Sequence, residues 1–240
     1  MTDRRFSPVQ VWSHRGRVDS SPSLVDNTAD AISNAFGSGA DGVELDTWLC
    51  SDGVFVLTHD RETPAGLVDR CPVGALGELD RLDEVLALPG RGSLNIELKV
   101  PPDSSPAEQA RLGVELAAYL QQSSALTGAD RTSVVVSSFC EVATREMLDA
   151  GVGMRIGHLC LQVPAERTLE DLAGYGYWGI HFLATPESVD KVAAIHAAGL
   201  AAVAWTVNDP GLAGRLVDAG VDVIITDVPL AVKAAVTTAP

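Results

Sequence analysis

The 240-residue sequence predicts an α/β fold, a (β/α)8 TIM-type barrel, and three observations carry that expectation. Eight short apolar, β-branched runs recur along the chain: Val9 to Ser13, Gly42 to Leu45, Leu94 to Leu98, Val134 to Ser137, Met154 to Leu159, Trp178 to Phe182, Ala201 to Thr206 and Val221 to Thr226. Amphipathic stretches with helical spacing separate them, and polar residues gather where the runs end. Continuous apolar runs suit strands buried on both faces, as in parallel sheets. Eight strand-helix units within roughly 250 residues are the content of one closed barrel. An open doubly wound sheet satisfies the same alternation. No low-complexity segment, repeat or composition shift divides the chain, so residues 1–240 are expected to form one barrel domain.

Each element follows in order. The first run ends in His14-Arg15-Gly16 and gives way to a loop, Asp19-Ser20-Ser21-Pro22-Ser23. After the second run, Asp52-Gly53 is a tight-turn signal. Thr47 to His59 is therefore expected as a β-hairpin above strand two, not a ninth barrel strand. The segment between His59 and Glu97 carries Pro64, Gly66, Pro72, Gly74 and Gly77 and reads as turns and loop, a reduced insertion. Beyond the third run lie a loop from Pro101 to Pro106 and a helix with Leu112, Leu116, Tyr119 and Leu120 on one face. A later helix is expected to present Val189, Val192, Ala193 and His196. In the last third, Asn208-Asp209 offers an N-cap, Pro210 suits a first helical turn and Gly220 a C-terminal cap.

Composition narrows the function classes. The chain is 46% hydrophobic and 20% charged, enough apolar content to offset the entropy of folding. Lys and Arg total 17 against 32 Asp and Glu, a formal net charge of −15 that repels phosphate backbones and argues against nucleic-acid binding. A small anionic ligand can still be held by a few focused cations or a metal. Asp3, Arg4 and Arg5 run directly into Phe6-Ser7-Pro8 with no apolar leader segment. No run approaches the roughly 18 apolar residues of a membrane span, so a soluble, cytoplasmic protein without stable membrane insertion is expected. Cys50, Cys71, Cys140 and Cys160 match neither a zinc site nor a dense disulfide framework and are expected as free thiols. Nothing in the sequence specifies an oligomeric state.

Catalytic groups of a β/α barrel sit at the C-terminal strand ends. Here those ends carry His14-Arg15-Gly16, Glu44-Leu45-Asp46, His59-Asp60 from the hairpin, and Glu97-Leu98-Lys99. Alternation along a strand puts Glu44 with Asp46, and Glu97 with Lys99, on one face. Three carboxylates converging on one rim repel each other unless a cation lies between them, and hard oxygen ligands favour Mg²⁺ or Ca²⁺. Glu44, Asp46 and Glu97 are therefore the expected ligands of a divalent metal, with plain ion pairing to Arg15 or Lys99 as the competing role. His14 and His59 titrate near neutrality and suit an acid/base pair. His158, His181 and His196 are expected as hydrogen-bonded structural residues. Arg15 and Lys99 suit an anionic substrate such as a phosphate ester. A barrel with three acidic metal ligands and a lysine also suits enolate chemistry, and the two histidines with Arg15 favour phosphoester cleavage over it. A barrel that only binds a phosphorylated ligand is the reading from outside catalysis.

The chain resembles the glycerophosphodiester phosphodiesterase family in His14-Arg15-Gly16, Asp26-Asn27-Thr28, Glu44-Leu45-Asp46, Asp52-Gly53, His59-Asp60, Leu94 to Lys99, Trp205-Thr206-Val207-Asn208 and Thr226-Asp227, all in family order. The resemblance implies a metal-dependent phosphodiesterase that cleaves a small-molecule glycerophosphodiester to an alcohol and glycerol phosphate. It implies a divalent cation on Glu44, Asp46 and Glu97, acid/base roles for His14 and His59, phosphate contacts from Arg15 and Lys99, and Trp205 lining the substrate pocket. Read without the resemblance, Trp205 is ordinary barrel packing. Asp26 stands where the family usually has glutamate and Cys50 where threonine is common, and neither change removes a catalytic group. The short stretch from His59 to Glu97 makes substrate identity less determined than reaction type, with lysophospholipids as the alternative substrates.

Overall fold

In the computed structural model, which describes residues 8–19 and 23–237, eight parallel strands close on themselves. Residues 20–22 of the expected first loop and the N-terminal stretch 1–7 lie outside the described residues. The first half contains β1 (Gln10–His14), α1 (Ala29–Gly37), β2 (Gly42–Leu49), β3 (Phe55–Leu57), β4 (Glu62–Thr63), β5 (Gly66–Leu67), α2 (Leu82–Leu86), β6 (Ser93–Leu98) and α3 (Pro106–Gln122). The second contains α4 (Gly128–Thr132), β7 (Val134–Ser138), α5 (Glu141–Asp149), β8 (Arg155–Cys160), α6 (Glu166–Tyr175), β9 (Gly179–Leu183), α7 (Val192–Ala197), β10 (Ala201–Trp205), α8 (Pro210–Asp218), β11 (Val223–Thr226) and α9 (Pro229–Thr237). Around the barrel the order is β1, β2, β6, β7, β8, β9, β10, β11, and β11 returns to β1. Closure excludes the open doubly wound sheet.

Strand alternation divides the apolar residues into two sets. Val43, Leu45, Leu94, Ile96, Val134, Val136, Ile180 and Phe182 face outward and pack with helix residues such as Leu112, Leu116 and Leu120 in the main core. Trp12, Val135, Ala201, Val203, Val223 and Ile225 form a separate cluster that plugs the barrel interior. Gly42 makes room for that plug, since a Cβ there would lie 2.6 Å from the Trp12 indole. The helix signals of the last third hold: Asp209 caps α8 by accepting a hydrogen bond from the Gly211 amide at 2.9 Å, and Pro210 is its first residue. All four cysteines are free.

Three expectations need correction. The second run does not stop at Leu45. β2 continues to Leu49 and itself forms the first arm of the hairpin, pairing antiparallel with β3 through Thr47↔Leu57 and Leu49↔Phe55. The insertion is not merely loop either: a β4–β5 hairpin, two 3-10 turns and α2 fold there, and Trp48, Cys50, Val56, Val68 and Leu76 make a small core beneath them. α2 is held because Leu82, Val85 and Leu86 are all buried. Finally, the chain from Pro186 to Lys191 is a 3-10 turn, and α7 buries Val192 and Ile195 instead of Ala193, which is exposed.

Candidate active site

The backbone turns sharply as it leaves β1. Arg15 adopts φ 57° and Gly16 φ 79°, both in the left-handed region. Gly16 is required there twice over, because any Cβ would also lie 2.9 Å from the Ala31 and Ile32 backbone. Asn27 is the other described non-glycine residue with positive φ, at 56°. Its amide N–H donates to the Arg15 carbonyl at 3.0 Å. Non-glycine residues rarely hold this conformation and cluster at functional sites when they do. Here both reach the same carboxylate: the Asn27 side-chain amide donates to Asp46 Oδ2 at 2.8 Å, and Arg15 Nε lies 3.1 Å from that oxygen.

β2 and β6 bring the three expected carboxylates together. Their register pairs Asp46 with Glu97 and Glu44 with Asn95, and one oxygen from each of Glu44, Asp46 and Glu97 falls within 4.8 Å of the others. All three residues are buried. Lys99 Nζ sits between two of them, 2.9 Å from Asp46 Oδ1 and 2.5 Å from Glu97 Oε1. Ion pairing to Arg15 and Lys99 is therefore real for Asp46 and Glu97. No such ion pair with Arg15 or Lys99 forms at Glu44, whose Oε2 is buried with no hydrogen-bond partner and lies 3.8 Å from His14 Nε2.

Electrostatics follow that asymmetry. Burial, then the charges of Asp46 and Glu97, push the Glu44 carboxyl well above its ordinary pKa. Burial also pushes Glu97 up, to about 7, against the opposing charge of Lys99. Asp46 is buried as well, but Lys99, Arg15 and the Asn27 hydrogen bond overcome that penalty and hold it below the ordinary value. Burial works to lower the Lys99 pKa, and the Glu97 and Asp46 charges more than reverse it. Two cations thus face three buried carboxylates, one short of balance. A set of hard oxygens, deep in the barrel mouth and lacking one positive charge, fits Mg²⁺ or Ca²⁺.

His14, at the end of β1, is fixed from the opposite side of the barrel. Its Nδ1 lies 2.7 Å from Asp227 Oδ1, just beyond β11. Asp227 also accepts hydrogen bonds from Asn208 Nδ2 at 2.7 Å and Arg17 Nη1 at 3.0 Å. Burial opposes ionisation of Asp227, yet the His14 and Asn208 hydrogen bonds and the His14 and Arg17 charges hold it well below the usual carboxylate range. An ionised Asp227 accepts, so His14 donates from Nδ1 and turns Nε2 toward Glu44. Arg17 Nε in turn donates to Asp26 at 2.7 Å. Asn27, Asn208 and Asp227 all lie in segments that carry the family resemblance, but nothing in the sequence assigns them a site role; strand-end position marks Asp227.

His59 lies apart from His14. Its side chain is 44% exposed on the hairpin, with Nδ1 2.8 Å from Asp60 Oδ1, while its carbonyl accepts from Trp48 Nε1 at 3.3 Å. An open groove of about 580 Å³ runs from His59 past Glu97 and Lys99 to Pro101, Phe139 and Val142. A smaller cavity of about 40 Å³ holds His14, Arg15, Glu44, Glu97 and Trp205. Neither space is lined by both histidines; they flank the carboxylates from two sides. Trp205 meets Phe139 edge-on at 5.9 Å. Of the remaining histidines, His196 bonds Asp222 at 2.8 Å as expected, whereas His181 is fully buried with both ring nitrogens unpartnered.

Comparison with known proteins bears directly on this arrangement. The chain matches the Glycerophosphoryl diester phosphodiesterase family over residues 14–81 and 68–231. It is 29% identical over 248 residues to a glycerophosphodiester phosphodiesterase of Caldanaerobacter subterraneus subsp. tengcongensis, covering 91% of this chain and 94% of that protein. A glycerophosphodiester phosphodiesterase from Parabacteroides distasonis superimposes with TM-score 0.83 at 21% identity over 96% of this chain and 97% of its own. An Oleispira antarctica phosphodiesterase, solved with the product sn-glycerol-3-phosphate, superimposes with TM-score 0.81 at 25% identity, covering 95% and 97%.

Proposed function

The chain belongs to the glycerophosphoryl diester phosphodiesterase family, and on that premise we propose that it cleaves glycerophosphodiesters to an alcohol and glycerol phosphate with a divalent cation at Glu44, Asp46 and Glu97. The observation that carries the metal is Glu44: a buried carboxylate oxygen without a hydrogen-bond partner beside two carboxylates that form ion pairs with Lys99 and Arg15. When bound, the cation supplies Lewis-acid stabilisation of charge on the phosphoryl oxygens.

The remaining chemistry belongs to the side chains. Arg15 and Lys99 stand at the mouth as donors for the phosphoryl oxygens, and their charge counts most where water is excluded. Asp227 fixes the His14 ring so that Nε2 faces the site and takes or gives a proton at that atom. His59 works from the hairpin side. One histidine deprotonates the attacking oxygen as it bonds to phosphorus; the other delivers a proton to the alcohol oxygen as its bond to phosphorus breaks. The groove past Lys99 receives the departing alcohol. Beyond the site residues its walls include the apolar Trp48, Pro101, Pro102, Phe139 and Val142 and the polar Gln109, Ser138 and Glu141, so the larger share of contacts there is apolar and discriminates weakly between head groups.

Phe139 and Leu161 favour a second substrate class. They are 49% and 61% exposed, follow the neighbouring strands β7 and β8, and Phe139 packs on Trp205. An acyl chain of a lysophospholipid could lie along this rim. Alcohol release from glycerophosphocholine and from a lysophosphatidylcholine, measured after chelation and again after adding Mg²⁺ or Ca²⁺, tests both readings. Loss of release on chelation and recovery with the cation is expected. Undiminished release in chelator would overturn metal dependence, and a strong preference for the lipid would move the assignment to the second class.

A further inference from the structure

A polar chamber lies where the mouth of the barrel meets its apolar plug. It is the 40 Å³ cavity whose walls include Glu44, Asn95, Ser137, His181 and Trp205. Glu44 Oε2, Asn95 Oδ1, Ser137 Oγ, Trp205 Nε1 and both ring nitrogens of His181 are buried without a hydrogen-bond partner. Each such atom carries the cost of lost hydration if left unbonded. A water needs roughly 10–15 Å³ of this kind of space and makes about three hydrogen bonds. The chamber therefore has room for two or three waters, and its walls offer them enough partners.

His181 is built into this position. Its ring lies over Gly157 of the adjacent strand, where a Cβ would come 2.3 Å from Nε2. Its other side meets the Trp178 indole edge-on at 6.1 Å. An aliphatic residue at 181 would simply extend the apolar plug, with no buried nitrogen to satisfy. The sequence instead combines a glycine on β8 with an imidazole on β9. Burial pushes the His181 pKa down to about 3, so the ring stays neutral and offers one donor and one acceptor.

We propose that His181 is a positioning residue for the carboxylate cluster: through internal waters in this chamber it hydrogen-bonds Glu44 and fixes how that carboxylate faces the cation. The proposal rests on the divalent-cation reading above. Groups that hold metal ligands in place typically influence affinity by roughly 10–100-fold.

Two substitutions separate this role from packing. His181→Leu keeps the bulk and removes both nitrogens; His181→Gln keeps a neutral donor and acceptor. Mg²⁺ and Ca²⁺ affinity measured by calorimetry should fall roughly tenfold or more in His181→Leu and recover largely in His181→Gln. With the cation saturating, kcat should fall in His181→Leu while KM for glycerophosphocholine stays near the wild-type value. Equal cation affinity in wild type and His181→Leu, or no recovery with Gln, would overturn the positioning role and leave the cation site standing. Absence of cation binding by the wild-type protein would overturn both. Should His181→Leu fail to fold, a high-resolution crystal structure of the wild type decides: waters bridging His181 and Glu44 are expected, and a dry chamber would contradict the proposal.

Discussion

The floor and the mouth of this barrel are built by the same strands and obey opposite rules. On the floor, Trp12, Val135, Ala201, Val203, Val223 and Ile225 bury apolar surface against one another. Two residues further along three of these strands stand His14, Ser137 and Trp205, and between β1 and β7 the strands β2 and β6 bring Asp46 and Glu97 to the mouth. Here burial is just as complete for the carboxylates, yet three negative charges face two cations. The comparison shows how a barrel separates stability from chemistry with no change of backbone. Floor side chains gain from leaving water, by about 1.5–3 kcal/mol for a large apolar residue. Mouth side chains lose by it, and the outer core with its helices offsets that cost. Such opposition between stability and activity is expected where a site needs buried charge.

Breaking the mouth should cost activity first. His14→Ala and His59→Ala are each expected to lower turnover by roughly 10² to 10⁴-fold with the fold intact, as loss of general acid or base assistance does. A bell-shaped pH profile that persists unchanged in both variants would remove them from the chemistry. Breaking the floor should do the reverse. Trp12→Ala is expected to cost about 3–5 kcal/mol in urea unfolding, while activity per folded molecule stays within a few-fold of wild type.

A pH titration sharpens the contrast. In chelator, Glu97 has its pKa raised from the ordinary 4.5 to about 7 by burial, so the folded protein binds the extra proton between those values. Its contribution is fully present below the unfolded pKa and is lost as pH rises toward 7. Urea midpoints of the metal-free protein should therefore fall from pH 4.5 to 7, and Glu97→Gln should reduce that fall, leaving the part that the raised Glu44 carboxyl contributes. A midpoint that rises equally in both proteins would contradict the raised pKa. The smallest effect concerns the alcohol groove. Choline, ethanolamine and glycerol diesters should differ by no more than about a hundredfold in kcat/KM, since an apolar contact discriminates by only about 1–3 kcal/mol. Phosphomonoesters should be poor substrates, and a single strongly preferred head group would show that the groove is more selective than its walls suggest.

Most of the barrel is legible because each parallel strand is an unbroken apolar run, buried on both faces. β2 looks short in the sequence because Asp46 and Thr47 end the run after Leu45, although Thr47 is buried by the hairpin and donates to the Val56 carbonyl at 3.0 Å. α2 was hidden by the prolines and glycines around it: a five-residue helix offers barely one period, and its stability comes from packing rather than propensity. At the site, the strand-end rule finds Glu44, Asp46, Glu97 and His14. It cannot find the Asp227 partnership, which joins residues 213 apart in sequence. His181 was misread for a related reason. Inside the run Trp178 to Phe182 it looks like a core residue, and only Gly157 on the next strand and the chamber walls reveal that its nitrogens go unmatched.

Glu44 is a buried carboxyl group kept for a cation, and one paired measurement on Glu44→Gln tests this most directly. Calorimetry with Mg²⁺ and Ca²⁺ and urea unfolding in chelator are run side by side on the variant and the wild type. The variant should bind the cation at least tenfold more weakly. Without metal it should be more stable than wild type by about 1 kcal/mol or more near neutral pH, because a neutral amide replaces a buried carboxyl whose ionisation is suppressed on folding. Unchanged cation affinity together with lower stability would contradict the claim and make Glu44 a structural partner of its neighbours.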